Sequence, residues 1–167
     1  MTKTELFNLI LKATEDAKIV AKLLNVHPTQ VRIGGSLALT MYGVIDRDIH
    51  DIDVIVNIPK SKVNECCEVL YAHNNLIGKK VGPLSVDKYS FLVGDLYQGE
   101  KVYPINVILD TSNSNIVCQT VNGIKLQHPT LVKFAKMSYV PRRPKDIDDI
   151  NNIIEWEIQT LIKDKKF

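Results

Sequence analysis

The sequence predicts an α+β fold, in the broader sense α/β, with a mixed sheet of about five strands, helices packed on one side and a C-terminal helical segment. Short apolar, β-branched runs alternate with turn residues between residues 31 and 126. Apolar residues at helical spacing occupy both ends of the chain. A glycine turn also leads from the first strand directly into a short helix.

Length and composition indicate one globular domain of residues 1–167, with a core at 28–127 and a helical segment at 128–167. A 45% hydrophobic and 24% charged composition is ordinary for such a domain, and the net charge of +2 gives no strong polyanion-binding signature. No apolar run approaches the ~20 residues of a membrane span. The three cysteines lack metal-site spacing. We therefore expect a cytoplasmic protein without membrane contacts.

Helices are predicted where apolar residues recur at helical spacing, over 3–25, 37–42, 59–73, 130–137 and 145–163. Thr2 and Glu5 form a capping-box pattern before the first of them, and Pro59 and Pro129 can open two others. Trp156 flanks the apolar stripe of the last helix, which favours packing over ligand stacking, and His27 is expected to be a cap or surface residue.

Strands are predicted at 31–33 and 51–56, followed by two hairpins formed by 87–93 with 102–109 and by 117–120 with 124–126. Asn122-Gly123 is a strong hairpin-turn signal for the second pair. Gly78 and Gly82-Pro83 mark a turn before the first pair, and Gly94-Asp95 and Gln98-Gly99 bound its connection.

Two acidic residues, Asp51 and Asp53, lie two positions apart in the second predicted strand. Alternate side chains of a strand point to the same face, so both carboxylates project together while Ile52, Val54 and Val56 point into the core. Two like charges this close repel each other unless a cation lies between them, and carboxylate oxygens suit Mg²⁺ or Mn²⁺. The pair therefore predicts a divalent metal site.

Gly34-Gly35-Ser36 forms the turn between the first strand and the short helix. Glycine lets the backbone approach a ligand closely, a helix start presents free N–H groups to an anion, and Ser36 adds a hydroxyl group. A phosphate held here, opposite a carboxylate-bound metal, predicts a nucleoside triphosphate (NTP) site. The alternative is an ordinary tight turn beside a solvated strand end.

Taken together, Gly34-Gly35-Ser36, Arg47 and Asp51-x-Asp53 resemble the signature of the polymerase-beta-like nucleotidyltransferase superfamily. The spacing of Arg47, Asp51 and Asp53 is most similar to small bacterial and phage members, including toxin-type enzymes of abortive-infection and toxin–antitoxin systems. The resemblance covers residues 31–57, and 102–150 more loosely. It implies a nucleotidyltransferase fold and transfer of a nucleoside monophosphate from a Mg²⁺-bound NTP, with release of pyrophosphate.

Two-metal phosphoryl transfer usually needs a third carboxylate, which the resemblance places in the middle of a later apolar strand. Here the polar residue in the middle of strand 103–110 is Asn106, which can bind a metal through oxygen but cannot act as a base. Asp110 shares its face but lies four residues further, ~13 Å along an extended strand. Asn106 therefore ranks first and Asp110 second, and Asp87 and Asp95 are further alternatives.

A basic stretch follows the next predicted helix, where Lys136 precedes Arg142-Arg143-Pro144-Lys145-Asp146. This stretch is similar to the C-terminal pattern of the toxin-type enzymes. The resemblance implies that Lys136 helps to hold the triphosphate and that Lys145 and Asp146 support the site. Lys133 is the alternative to Lys136, because the sequence does not fix the register of the helix. A solvated basic loop with Asp146 as N-cap is the structural alternative.

Two residues near the Asp-x-Asp strand allow more than one interpretation. Arg47 either contacts a phosphate or steadies its loop by pairing with Asp48 or Asp51. His50 has the chemistry of a general base. On a strand, however, it points away from both aspartates, which favours a structural role.

These features predict a nucleotidyltransferase, and the competing hypothesis is a nucleotide- or protein-binding module that kept the fold and lost the base. Asn106 is the residue that separates the two. The acceptor is open and includes a small molecule, tRNA and protein. A chain of this size has little room for an acceptor domain, so an acceptor that docks from outside, an antitoxin or a homo-oligomer is the expected partner.

Overall fold

The computed structural model of the protein describes residues 1–73, 80–85, 88–112, 118–139 and 141–164. Within these ranges the helices are α1 (Lys3–Leu23), α2 (Gly35–Met41), α3 (Val63–His73), α4 (Pro129–Met137) and α5 (Pro144–Asp164). The strands are β1 (Val31–Gly34), β2 (Ile52–Asn57), β3 (Lys80–Ser85), β4 (Lys88–Gln98), β5 (Lys101–Asp110), β6 (Thr120–Val121) and β7 (Ile124–Leu126). Single 3-10 turns cover Pro28–Gln30 and Lys60–Lys62. The predicted α+β class is confirmed.

The described strands form one mixed sheet in the order β3-β4-β5-β2-β1-β7-β6. β2 runs parallel to β5 and antiparallel to β1, and β1 runs parallel to β7. This sheet has seven strands rather than about five. One reason is that Gly82 and Pro83 lie inside β3, where the sequence predicted a turn. β3 is an edge strand with register shifts, a setting that tolerates proline.

Both predicted hairpins are present in the part of the chain that is described. β4 and β5 are joined at Gly99-Glu100, where Gly99 has a φ of +63°. The strand continues through Gly94-Asp95 because a register shift between Leu92 and Gly94 absorbs the break. In the second hairpin, Asn122 and Gly123 have φ values of +51° and +78°, as a type I′ turn requires. Gly78, Asp87 and Val117 lie outside the described residues.

One face of the sheet carries the main apolar core. Thr2 accepts a hydrogen bond from the Glu5 backbone N–H at 3.0 Å and so begins α1 where predicted. Fully buried residues of α1 and α3 pack on alternate residues of β2 and β5, and this cluster includes Leu9, Ile10, Ala13, Ala17, Leu70, Ile52, Val54, Val56 and Val107. The period-2 pattern of β2 therefore decides which face becomes the core.

The C-terminal segment forms a second, smaller cluster, in which Val132 of α4 and Ile153 of α5 pack with Leu39 and Ile45. Trp156 lies edge-on to Tyr42 and His128, with ring centroids 5.9 and 5.6 Å away, so it packs as predicted. Because α4 covers the face opposite to the main core, the helices lie on both sides of the sheet rather than on one. Among the described helices, none combines the length and apolarity needed to cross a membrane.

Candidate active site

A cleft of about 640 Å³, counting its open mouth, lies between the sheet and α4. Asp51, Asp53 and Ile55 line it from β2 and the residue before that strand, and Ile108 and Asp110 line it from β5. The two aspartates therefore share one face of the sheet. This common face follows from the period-2 geometry of the strand, since Ile52 and Val54 point to the opposite side.

The parallel register between β2 and β5 places Asn106 directly beside Asp53. The Asn106 amide nitrogen donates a hydrogen bond to Asp51 Oδ2 at 3.2 Å. Asn106 thus occupies the position next to the aspartate pair where the sequence analysis sought a third carboxylate.

Asp110 lies four residues further along β5, beside Asn57. Its Oδ1 accepts hydrogen bonds from the Ser112 backbone N–H at 2.9 Å and the Ser112 hydroxyl at 2.5 Å. Asp95 pairs with Pro104 and lines a different groove, next to α1. Neither residue stands beside Asp53, and only Asp110 shares its cleft.

The glycine turn packs directly against the aspartate pair. Gly35 has a φ of +59°, and a Cβ atom added there would lie 2.2 Å from Asp53 Oδ2. At Gly34 an added Cβ would lie 2.4 Å from Ile55 Cδ1. A side chain at Gly34 would displace Ile55 and Gln127, and one at Gly35 would displace the Asp53 carboxylate and also strain the backbone conformation. Ser36 follows in α2 and lines the cleft.

Burial raises the pKa of Asp53 to about 7, and the neighbouring Asp51 carboxylate adds to the shift. A hydrogen bond from Asn106 and the positive charges of Lys136 and Lys145 oppose it. A divalent cation would remove this repulsion. The donor set fits one Mg²⁺ or Mn²⁺ held by two carboxylates, with water and phosphate oxygens completing its shell.

A larger acidic metal cage is not formed by the described residues. In these ranges, no three His, Cys, Asp or Glu side chains are grouped so that they could hold a metal ion. The residue beside Asp53 is Asn106, whose amide takes the place that a third carboxylate would need.

Two buried aspartates of α5 hold Lys136, which lines the cleft from α4. Its Nζ lies 2.9 Å from Asp146 Oδ1 and 3.1 Å from Asp149 Oδ2. Lys133 instead pairs with Glu157 at 2.6 Å and does not line the cleft. Of the two candidate lysines, the helix register therefore directs Lys136 to the site.

Arg47 makes a different contact from those expected. Its Nη2 donates hydrogen bonds to Asp149 Oδ2 at 2.5 Å and to Ser36 Oγ at 3.3 Å. The predicted pairing with Asp48 or Asp51 is therefore wrong, because α5 brings Asp149 to the arginine from 102 positions along the chain. His50 is exposed and does not line the cleft.

Asp146 lies inside the first turn of α5, not at its N-cap. Its Oδ2 accepts a hydrogen bond from the Arg143 backbone N–H at 3.2 Å, and the Arg143 guanidinium also contacts it. Burial raises its pKa, but hydrogen bonds from Arg143 and Lys136 more than offset this and hold the pKa well below its usual range. Lys145, in the same turn, lines the cleft and makes no ion pair with any described residue.

Three residues of the cleft or its supporting ion pairs were missed by sequence reasoning: Asp149, Tyr139 and Gln127. Asp149 had a signal, because Asp146 and Asp149 are three apart and share one face of a helix. Tyr139 had none. Burial, with the charges of Asp53 and Asp146, raises its pKa to about 12, so the phenol stays neutral.

Comparison with known proteins gives structural matches only. Neither a protein-family model nor a curated protein matches the chain. Solved structures similar to it include the Megavirus polyadenylate synthase (15% identity over 85% of this chain and 32% of that one, TM-score 0.47). The Helicobacter pylori protein JHP933 is 11% identical over 90% of this chain and 66% of that one, with a TM-score of 0.45.

A candidate nucleotidyltransferase from H. pylori is 10% identical over 80% of this chain and 58% of that one, with a TM-score of 0.40. This chain therefore spans between about a third and two thirds of the solved chains. Identities and TM-scores at this level do not place the chain in a family.

Proposed function

We propose that this protein transfers a nucleoside monophosphate from a Mg²⁺-bound NTP to an acceptor and releases pyrophosphate. The observation that carries the proposal is one cleft in which Asp51 and Asp53 face Ser36 and the basic residues of the α4–α5 segment. Asp51 and Asp53 would hold the cation. When bound, the cation neutralises phosphate charge and orients the α-phosphate for in-line attack.

The basic side of the cleft is suited to the triphosphate. Lys145 keeps its full charge available, since no described acidic residue pairs with it. Lys136 and Arg143 share the carboxylate of Asp146, and Lys136 also pairs with Asp149. The three cations that line the cleft, Lys136, Arg143 and Lys145, therefore outnumber these two carboxylate partners. An excess of fixed positive charge stabilises the charge that develops on the leaving pyrophosphate. Arg47 does not line the cleft and acts indirectly, by orienting the Ser36 hydroxyl group through a hydrogen bond.

The sequence resemblance to toxin-type enzymes suggests the acceptor and the location of the reaction. The proposed acceptor is a small molecule, a tRNA or a protein that docks at the open mouth of the cleft in the cytoplasm. An antitoxin or a second copy of the chain is the proposed partner.

A second candidate function is NTP binding without efficient turnover, and the position of Asn106 favours it. An amide beside Asp53 can ligate a metal but cannot take a proton from the acceptor. Loss of a general base alone lowers a rate by roughly 10²–10⁴-fold. Both candidates require NTP binding and differ in the rate of pyrophosphate release.

Calorimetric titration with each of the four NTPs, with and without Mg²⁺, tests the shared premise. We expect metal-dependent binding by the native protein and its loss in Asp51→Asn, because one remaining carboxylate holds the cation poorly. Asp48→Asn is the matched control, since Asp48 is exposed and lies outside the cleft. Absence of metal-dependent binding for every NTP would overturn both candidates.

Pyrophosphate release then separates the enzyme from the binding module. If Asn106 limits catalysis, Asn106→Asp should raise the rate by about 10²–10⁴-fold, because a carboxylate restores a metal ligand and a proton acceptor. A fast native protein that Asp110→Asn inactivates, while Asn106→Ala does not, would instead make Asp110 the third ligand. Labelling of a cell lysate with radioactive NTPs identifies the acceptor, and no labelling by either protein favours the binding module.

A further inference from the structure

The cleft has two chemically different ends. Its charged end holds Asp51, Asp53 and the basic residues described above. Its other end is walled by aliphatic side chains from the sheet and from α4, namely Ile55, Ile108, Val132 and Ala135. Ile55 follows Asp53 by two residues on the same face, about 7 Å along the strand. This distance between the apolar end and the proposed metal site is about the length of the ribose that separates the phosphates of a nucleotide from its base.

One polar group interrupts the apolar end. Gln127 follows β7, and its backbone N–H donates to the Ile33 carbonyl at 2.7 Å, which fixes it at the edge of β1. It lines the cleft, and only 5% of its surface is exposed. Its amide oxygen packs beside Gly34, 2.5 Å from where a Cβ would stand.

The Gln127 side-chain amide forms no hydrogen bond with any residue in the described part of the chain, and it lines the cleft. Its polar atoms are not enclosed by protein, so they are open to the cleft. Two other side-chain amides are held by protein atoms: Gln30 bonds the Asn57 carbonyl at 3.1 Å, and Asn122 bonds Thr14 at 3.0 Å. No such contact holds the Gln127 amide, so its donor and acceptor are available to a ligand in the cleft.

We infer that Gln127 reads the base of the bound NTP and determines which NTP the protein prefers. A side-chain amide presents a donor and an acceptor side by side, which matches the paired groups on the edge of a nucleobase. The flat base would pack between Ile55 and Ile108 on one side and Val132 on the other. Asp110, at the same end of the cleft, offers a second acceptor through its Oδ2. This inference rests on the proposed function.

The acceptor is a less suitable partner for Gln127. It must reach the α-phosphate from the open mouth of the cleft, whereas Gln127 is buried beneath the glycine turn. The triphosphate is also a less suitable partner, because a neutral amide adds no charge to its binding, and the cations that line the cleft come from the α4–α5 segment.

Competition binding of the four Mg²⁺-NTPs and of inorganic tripolyphosphate to the native protein and to Gln127→Met tests the inference. Met keeps the volume of Gln and removes the amide. We expect the native protein to prefer one NTP by about tenfold or more, and Gln127→Met to reduce the preference to about threefold or less. Affinity for tripolyphosphate should be unchanged. Gln159→Met, at an exposed position of α5, is the matched control.

Gln127→Glu is a second variant, which keeps the test usable if Gln127→Met does not fold. It replaces the donor with an acceptor, so the order of preference among the NTPs should change. Preference retained in both variants, no preference in the native protein, or an equal loss of tripolyphosphate binding would each overturn the inference. Tripolyphosphate binding without base preference leaves the proposed function standing, whereas a native protein that binds no NTP overturns both.

Discussion

The two faces of the sheet are stabilised by different interactions, although the same strands build both. On one face, Val54 and its neighbours are fully buried against α1 and α3 by apolar contacts. On the other face, Asp53 points into the cleft. The helices that cover it, α4 and α5, are joined to each other by buried ion pairs, and Arg47 and a small apolar cluster link them to the rest of the protein. A single period-2 alternation along β2 divides the core from the site.

The ion pairs of the second face form one connected chain. It runs from Arg143 through Asp146, Lys136 and Asp149 to Arg47, which contacts Ser36. Apolar contacts are non-directional and tolerate exchange of one residue for another of similar volume. A buried charge instead depends on each partner, because losing one leaves the other uncompensated. The second face is therefore specified by fewer residues, and two of them, Lys136 and Arg143, also line the proposed phosphate site.

Removal of Asp149 should have the largest effect, because it takes one carboxylate partner from Lys136 and the ion-pair partner from Arg47 at once. We expect Asp149→Ala to lower the free energy of unfolding by about 3–5 kcal/mol. The fluorescence of Trp156 on α5 should change before the far-UV circular dichroism signal in urea. Asp148→Ala, at the exposed neighbouring position, is the control and should be nearly neutral. A neutral Asp149→Ala would mean that ion pairs do not hold this segment.

A cavity in the main core should affect the molecule as a whole. Leu9 is fully buried on α1, so Leu9→Ala should cost about 2–5 kcal/mol. Trp156 fluorescence and circular dichroism should then shift together in urea, because the sheet carries both faces. Phe7→Ala, at a 57% exposed site on the same helix, is the control. Separate transitions in Leu9→Ala would show that the two faces fold independently.

Acid should act in opposite directions on two aspartates of the site face. The lowered pKa of Asp146 adds stability above the unfolded value of 3.8, and this stability is lost as the pH falls below that value. The pKa of Asp53 is raised to about 7, so its charge lowers stability near neutral pH, and this cost disappears as the pH falls towards 3.8. The pKa of Asp16 on α1, raised by burial, acts in the same direction as that of Asp53. Without Mg²⁺, we therefore expect Tm, followed by Trp156, to rise between pH 7 and pH 4 and to fall below pH 4.

Two variants check this sign. Asp53→Asn should remove the rise in Tm between pH 7 and pH 4, and Asp146→Asn should remove the fall below pH 4. A Tm of the native protein that falls steadily from pH 7 would contradict the raised pKa of Asp53.

The Lys133–Glu157 pair should have the smallest effect. It is partly exposed, with side-chain exposures of 16% and 26%, and lies outside the connected chain. A double-mutant cycle of Lys133→Met and Glu157→Gln should give a coupling of about 0.5–1 kcal/mol, weaker in high salt. A coupling as large as the effect of Asp149→Ala would remove the distinction between the two kinds of ion pair.

Local patterns predicted the main-core face well because they depend on neighbouring residues. The α1 stripe, the alternation of β2 and the Asn122-Gly123 turn all follow from short-range geometry. The same local reasoning failed at β3. There, Gly82 and Pro83 are typical of a turn, but β4 recruits the segment as an edge strand. Pairing with a neighbouring strand overrides local propensity where an edge is available.

The sequence by itself determined the pairing of Asp51 with Asp53, because alternation along a strand is a local property, and it supplied the glycines that let the turn approach them. Only the tertiary structure decided which charges meet. Asp149 reaches Arg47 across 102 positions, and the register of β5 sets Asn106 beside Asp53. The unpaired amide of Gln127 reaches the cleft because β7 lies beside β1. Contacts of this kind depend on how elements distant in sequence pack, and no local pattern encodes them.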